Sequence, residues 1–345
     1  VYNHTGREFF AFADILENGE KSKYRDWYFI DGFPLKSEWG EIPNFKCFGY
    51  YGGMPKLNLK NPEVEKYITD VACYWIKECD IDGWRLDVGD EISHFFWKNF
   101  RKAVKAVKKD MLIIGEIWHY AGDFLEGDEW DTVMNYPFYL NLIDLLADEK
   151  ITVSQFVQNL GYLKGRLHKN CYPLMWNLID SHDTARFLHL CNDNKKKQHL
   201  AAAIQLLLPG MPMIYYGDEY AMPGANDPDC RRGMYWEEEY QDKEMYEWYK
   251  RLIQVRKSHA CIVEGELAGS VTEDEEGTVV LIRKNGEETI AMIFNCSSSA
   301  KKFNEYTQKY NLLTENTFDG QEEGSPAAVI VLEEASRKRV SREQD

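Results

Sequence analysis

Ile81-Asp82-Gly83-Trp84-Arg85-Leu86-Asp87 is the stretch on which the reading of the chain turns. Apolar and polar positions alternate, as in a short strand, and Arg85 and Asp87 stand two apart and so share one side of it. An arginine in that place favours the ionised form of its carboxylate neighbour. A held, ionised carboxylate at a strand end is what a nucleophile requires. A buried Arg–Asp pair without chemistry fits the same seven residues.

Working outward, Asn61-Pro62 reads as a helix start, and Val64, Ile68, Val71, Trp75 and Cys79 are expected to form the apolar stripe of the helix that feeds this strand. The alternation then repeats. A helix over 92–108 precedes the run 111–116; a strand at 132–136 leads to a helix at 138–148. Another helix over 153–167 precedes a strand at 173–180, and a helix over 195–208 precedes a strand at 213–217. Strands alternating with helices at this spacing predict parallel βαβ units, with five full strands and a strand end at 1–3. Before them, 5–58 lacks a long helical period and reads as an inserted loop or subdomain. A last helix over 243–257 closes a region of 1–260. Two β runs about Lys284-Asn285-Gly286-Glu287-Glu288 then predict a hairpin within a separate antiparallel β-sandwich over 261–335, followed by a charged tail at 336–345.

Composition narrows the function. The 345 residues carry a net charge of −16, which repels phosphate backbones and argues against nucleic acid. The most apolar run, near 206–216, is too short to cross a bilayer and is broken by Pro209 and Pro212. Ten tryptophans and 21 tyrosines suit stacking on sugar rings, and equally suit an ordinary core. Eight scattered cysteines without C-x-x-C spacing favour reduced, buried thiols and a cytoplasmic location. The sequence opens on Val1, which leaves a signal peptide outside the reading.

Three strand ends finish in carboxylates: Asp87, Glu116 and, after Ile179-Asp180-Ser181-His182, Asp183. In a parallel α/β barrel such ends face one mouth. Crowded acids are expected to raise one carboxyl's pKa, that of Glu116 beside Ile117 and Trp118, while Arg85 holds another low. One protonated and one ionised carboxyl is the equipment of a retaining glycosidase. The rival is a Mg²⁺ site, against which Arg85 would repel a dication.

Val1-Tyr2-Asn3-His4, Gly83-Trp84-Arg85-Leu86-Asp87, Gly115-Glu116-Ile117-Trp118 and Ser181-His182-Asp183 resemble, in order and spacing, the four signature regions of the α-amylase family of glycoside hydrolases (glycoside hydrolase family 13). Met54-Pro55-Lys56-Leu57-Asn58 resembles a fifth region in its cyclomaltodextrinase, neopullulanase and maltogenic amylase form, and Asn226-Asp227-Pro228-Asp229-Cys230-Arg231 matches that group's loop after the eighth strand. The resemblance implies a (β/α)8 TIM barrel whose first strands precede this sequence. It implies Asp87 as nucleophile, Glu116 as general acid/base and Asp183 as transition-state stabiliser. His4, Arg85 and His182 would surround the sugar at the cleavage position, Trp118 the leaving-group side, and Asp227 and Arg231 the next sugar outward.

Where the group commonly has Val-Ala-Asn-Glu after the nucleophile, this chain has Val88-Gly89-Asp90-Glu91; Glu91 is retained on the acceptor side, which is expected to differ. The implied substrates are maltooligosaccharides, cyclodextrins, pullulan or starch, hydrolysed at α-1,4 bonds with retention and some transglycosylation. No cofactor is implied. Asn3 sits where some members bind Ca²⁺, without a full ligand set. Homodimer formation is implied through an N-terminal domain that precedes these residues. Some relatives are non-catalytic ectodomains, which usually lack one of the three acids present here. Five full strands cannot close an eight-stranded barrel, so residues 1–345 alone are expected to be unstable and inactive.

Overall fold

A computed structural model describes residues 2–36, 40–168, 170–286, 288–297, 299, 303, 309–318 and 329–333. Val1, from the first quoted motif, and the tail at 336–345 lie outside the described residues. The chain forms two compact units, one up to Met134 and one from Asn135 onward.

The first unit opens with the segment expected to lack helical period. It nevertheless holds α1 (Phe10–Asn18), nine residues that bury Ala11, Phe12 and Ile15. Two turns leave too short a window for a period to emerge, and Gly19 at φ 54° ends them. Isolated bridges then tie His4 to Lys56, Tyr28 to Leu57, Ile30 to Phe45 and Cys47 to Pro55. Tyr2 and Asn3 belong to no ladder, although Asn3 O accepts from the Leu57 amide at 3.0 Å.

Next comes α2 (Pro62–Cys79), started as expected by Asn61, whose side chain accepts from the Glu63 amide. Its buried face runs Val64, Ile68, Ala72 and Ile76; Trp75 and Cys79 are exposed, so the expected stripe is out of step with the core by one position from Val71 onward. β1 (Gly83–Leu86), α3 (His94–Val107, capped by Ser93), β2 (Leu112–Gly115) and β3 (Thr132–Val133) complete the unit as a three-stranded parallel sheet in that order. Leu86 pairs with Gly115, so β1 and β2 end level.

The second unit begins with α4 (Tyr136–Leu146), two residues earlier than expected, because Asn135 is its cap and accepts from the Phe138 amide. α5 (Val153–Arg166) carries a full capping box between Thr152 and Gln155. β4 (Trp176–Asn177), α6 (Phe187–Leu190), α7 (Lys195–Leu207) and β5 (Met211–Pro212) follow, with β4 and β5 parallel. Both strands are shorter than expected, and the second lies at 211–212 instead of 213–217. Pro173 sits in a 3-10 turn, and Pro212 has no amide to offer the ladder, which resumes for one bond from Met213 N to Asn177 O at 2.8 Å.

After α8 (Lys243–Ser258) and α9 (Ala260–Glu264), the chain makes β6 (Glu266–Glu273), β7 (Thr278–Asn285), β8 (Glu288–Asn295), β9 (Tyr310–Asn311), β10 (Asn316–Thr317) and β11 (Val329–Glu333). Among the described residues these form one antiparallel sheet in the order β10-β9-β11-β8-β7-β6. The hairpin between β7 and β8 is the expected one, and Gly286 turns it at φ 59°. One sheet face, with Val279, Leu281, Ile290, Met292 and Phe294, shares a core with Leu142, Phe156, Leu200, Ile204 and Leu252 of the helices. The other packs Val280, Ile293, Ile330 and Leu332 against Phe303 and Phe318. The sheet expected from 261 thus packs its inner face on the helical layer.

Candidate active site

In the first unit the level ends of β1 and β2 bring two carboxylates to one guanidinium. Arg85 Nη1 donates to Asp87 Oδ1 at 2.8 Å, and Nη2 lies 2.8 Å from Glu116 Oε1. The expectation paired Arg85 with Asp87 alone; the structure shares it between both acids. Asp87 keeps about a fifth of its side chain exposed, whereas Glu116 is 5% exposed.

Glu116 receives two further donors. The Val88 amide reaches Oε2 at 3.0 Å, and Trp118 Nε1 stands 3.4 Å from Oε1. Val88 takes φ 48°, a left-handed conformation costly for a β-branched residue. That turn is what aims its N–H at the carboxylate. Beneath the two strand ends the Trp130 ring stacks on Phe124 at 4.1 Å and lies against Gly89 and Gly115; a Cβ on either glycine would run into it. Trp118 itself is 42% exposed, consistent with a surface for a ligand.

His4 stacks on Phe48 at 5.3 Å, and its Nδ1 is buried without a hydrogen-bond partner among the described residues. Burial pushes its pKa below the ordinary histidine range, against the pull of the Asp87 and Glu91 charges. A neutral imidazole there suits a sugar hydroxyl better than a phosphate. Glu91 is held by Lys56 at 2.8 Å and by Asn3 Nδ2 at 3.0 Å. Lys56 lies inside the quoted Met54-Pro55-Lys56 motif, yet a lone lysine paired with a glutamate 35 positions away gives no local signal in the sequence. Asp90, the departure noted above, meets His119 Nε2 at 3.0 Å and so links the loops after β1 and β2.

The second unit gathers the other four expected residues. His182 Nε2 lies 3.1 Å from Asp183 Oδ2, and Arg231 Nη2 donates to Asp183 Oδ1 at 3.0 Å while its Nε lies 2.9 Å from Asp227 Oδ1. All four side chains are partly exposed. Asp183 comes six residues after β4, on a turn closed by the Ser181 amide donating to Thr184 Oγ1 at 2.9 Å.

Among the described residues no group of three or more His, Cys, Asp or Glu is placed to hold a metal ion. Among the described residues no helix is long and apolar enough to cross a membrane. The eight cysteines are unbonded, and Cys191, Cys230 and Cys261 are buried while Cys79 is exposed.

Known proteins resemble this chain over most of its length. The α-amylase catalytic domain matches residues 1–265. A cyclomaltodextrinase of Geobacillus thermopakistaniensis (strain MAS1) is 45% identical over 300 residues, 87% of this chain and 51% of that protein. A cyclomaltodextrinase of Thermoanaerobacter pseudethanolicus is 49% identical over 260 residues, 75% of this chain and 45% of that one. A solved structure of a cyclomaltodextrinase superposes with a TM-score of 0.88 at 36% identity, covering 96% of this chain and 57% of that chain.

The family match and the solved cyclomaltodextrinase structure, with the antiparallel sheet that follows the helical region, define an α/β-barrel protein of the TIM class with a C-terminal sheet domain. The chain belongs to the α-amylase family. It spans about half the length of the curated relatives it matches.

Proposed function

We propose that the protein is a retaining glycosidase that hydrolyses α-1,4 bonds of maltooligosaccharides and cyclodextrins, with starch and pullulan as further substrates. The observation that carries this reading is the Asp87–Arg85–Glu116 bridge at the level ends of two parallel strands. In the proposed reaction Asp87 attacks the anomeric carbon as the C–O bond to the leaving sugar breaks, and Glu116 protonates the departing oxygen. Glu116 then takes a proton from water, which displaces Asp87 and restores both groups. Arg85 balances the charge that moves between the two carboxyls, and the Val88 amide fixes which way Glu116 points.

Asp183 is the proposed stabiliser of positive charge on the sugar, oriented by His182 and Arg231, with Asp227 toward the next sugar outward. Trp118 offers its face to the leaving sugar. Glu91, held by Lys56, lies on the acceptor side, where a second sugar in place of water gives transglycosylation. A cytoplasmic location is supported by eight thiols without a disulfide. The test is reducing-end release from β-cyclodextrin, starch and pullulan, with proton NMR of the first-formed anomer. An α anomer supports double displacement; a β anomer means that water attacks directly, and no release from any α-glucan by the protein at its full natural length removes the reading.

A further inference from the structure

The second unit holds a group of buried charges for which the reaction above has no use. Arg186 and Asp218 are 0% and 1% exposed, and Asp180 is 1% exposed. Arg186 Nη1 donates to Tyr216 O at 2.8 Å and lies 3.1 Å from Asp218 Oδ1, with the guanidinium over the rings of Tyr215 and Tyr216. Asp180 Oδ2 accepts the Phe187 amide at 2.7 Å. Asp180 and Asp218 bear on each other's charge, and the buried atoms left over, Asp180 Oδ1, Asp218 Oδ2, Arg186 Nε and Arg186 Nη2, find no partner among the described residues. One buried cation against two buried anions leaves a surplus charge that a single proton on the carboxyl pair removes.

We propose that Asp180 and Asp218 share one proton beside Arg186, and that this neutral trio positions the loops bearing Asp183 and Arg231. The connections run through named bonds. Asp180 closes the 180–187 turn on the Phe187 amide, and Asp183 N donates to Ser181 Oγ within it at 3.2 Å. The Arg186 amide donates to Gly224 O at 2.9 Å, and Cys230 Sγ to His182 O at 3.3 Å, which joins that turn to the loop of Asp227 and Arg231. Burial raises both carboxyls, Asp218 the further because Asp180 also repels its charge. The other groups facing the pair are Glu219, Tyr139, Tyr215, Tyr216 and Tyr249, with Gln198 donating to Asp218 O at 3.0 Å.

The sign is fixed by the raised carboxyls. The folded chain keeps a proton that unfolded aspartates release above about pH 4, so the stabilisation is lost as pH rises through the pair's titration. In the protein at its full natural length, of which residues 1–345 are a part, infrared spectroscopy at pH 7 should show a protonated-carboxyl C=O band that disappears in both Asp218→Asn and Asp180→Asn. Either single variant should also flatten the fall of Tm between about pH 5 and pH 9, whereas the double variant strands Arg186 and should lower Tm by roughly 10 °C. No difference band, with parallel Tm profiles, would overturn the shared proton.

The positioning role rests on the glycosidase reading and has its own readout. Asp180→Ala, which removes the acceptor for Phe187, should lower kcat by about 10²-fold with KM little changed, and Asp180→Asn should recover most of it. Wild-type kcat in a folded Asp180→Ala protein would overturn the role. Absence of activity in the wild type would count against the glycosidase reading alone, since the infrared and melting results stand without it.

Discussion

At Asp87, the proposed attacking group, a side chain about a fifth exposed is gripped by a cation. Asp87→Asn should therefore reduce turnover of maltooligosaccharides by several powers of ten, with Tm close to wild type. Reducing-end assays and a melting curve on the same preparation check both halves. His4 offers a second test. Because burial holds its pKa down, the unfolded chain takes up that proton first, and stability falls as pH drops through about 6.5. His4→Gln should flatten the decline of Tm over that window and raise KM, since the amide keeps a hydrogen bond without the ring's shape. Much of this scale was legible in advance. The acids and histidines stand out in the sequence because the roles proposed for them demand particular side chains; the sharing of Arg85, and the Val88 amide on Glu116, were hidden because they depend on how two strand ends align and on a backbone turn that no side chain announces.

Among the elements, one cap was readable, for a cap is a local contract between a side chain and an amide two or three residues on. Asn61 starts its helix where the sequence placed it, while Ser93 and Thr152 cap helices whose starts were read from hydrophobic period alone. Strand ends were the least readable. β4 and β5 are two residues each, because prolines in and before them limit the ladder, and hydrophobicity extends well beyond the hydrogen bonds. The β7–β8 hairpin supplies a prediction of its own. Gly286 holds φ 59° with open space where a Cβ would stand. Gly286→Asn should be tolerated, while Gly286→Val should cost about 1–2 kcal/mol and lower Tm by a few degrees, measured by calorimetry. Equal Tm values for the two variants would mean that the turn relaxes to another conformation.

For the molecule as a whole, the covering of the C-terminal sheet decides what can be cut away. Its inner face shares a core with α4, α5, α7 and α8. Arg283, 1% exposed, reaches out of β7 to the carbonyls of Leu207, Ile262 and Gly265, and burial pushes its pKa down to about 10. Protein ending at residue 265 would bare that apolar face and leave helix-end carbonyls without a donor. Such a truncation should be insoluble or melt without cooperativity, and Arg283→Met in the longer chain should lower Tm by several degrees. A soluble, cooperatively melting 1–265 protein would show the sheet to be dispensable. The sequence hinted at an edge here because character changes sharply after Cys261, yet a change of secondary structure is no guide to where packing stops. The ring of Trp130 carries one last consequence, for the history open to this chain. Neither Gly89 nor Gly115 can gain even a methyl while that indole stands between them, so the three positions can diverge only in a set order, the large residue shrinking first. Random variation one site at a time would meet a dead end at each glycine, and relatives that differ there should be found to differ at the tryptophan as well.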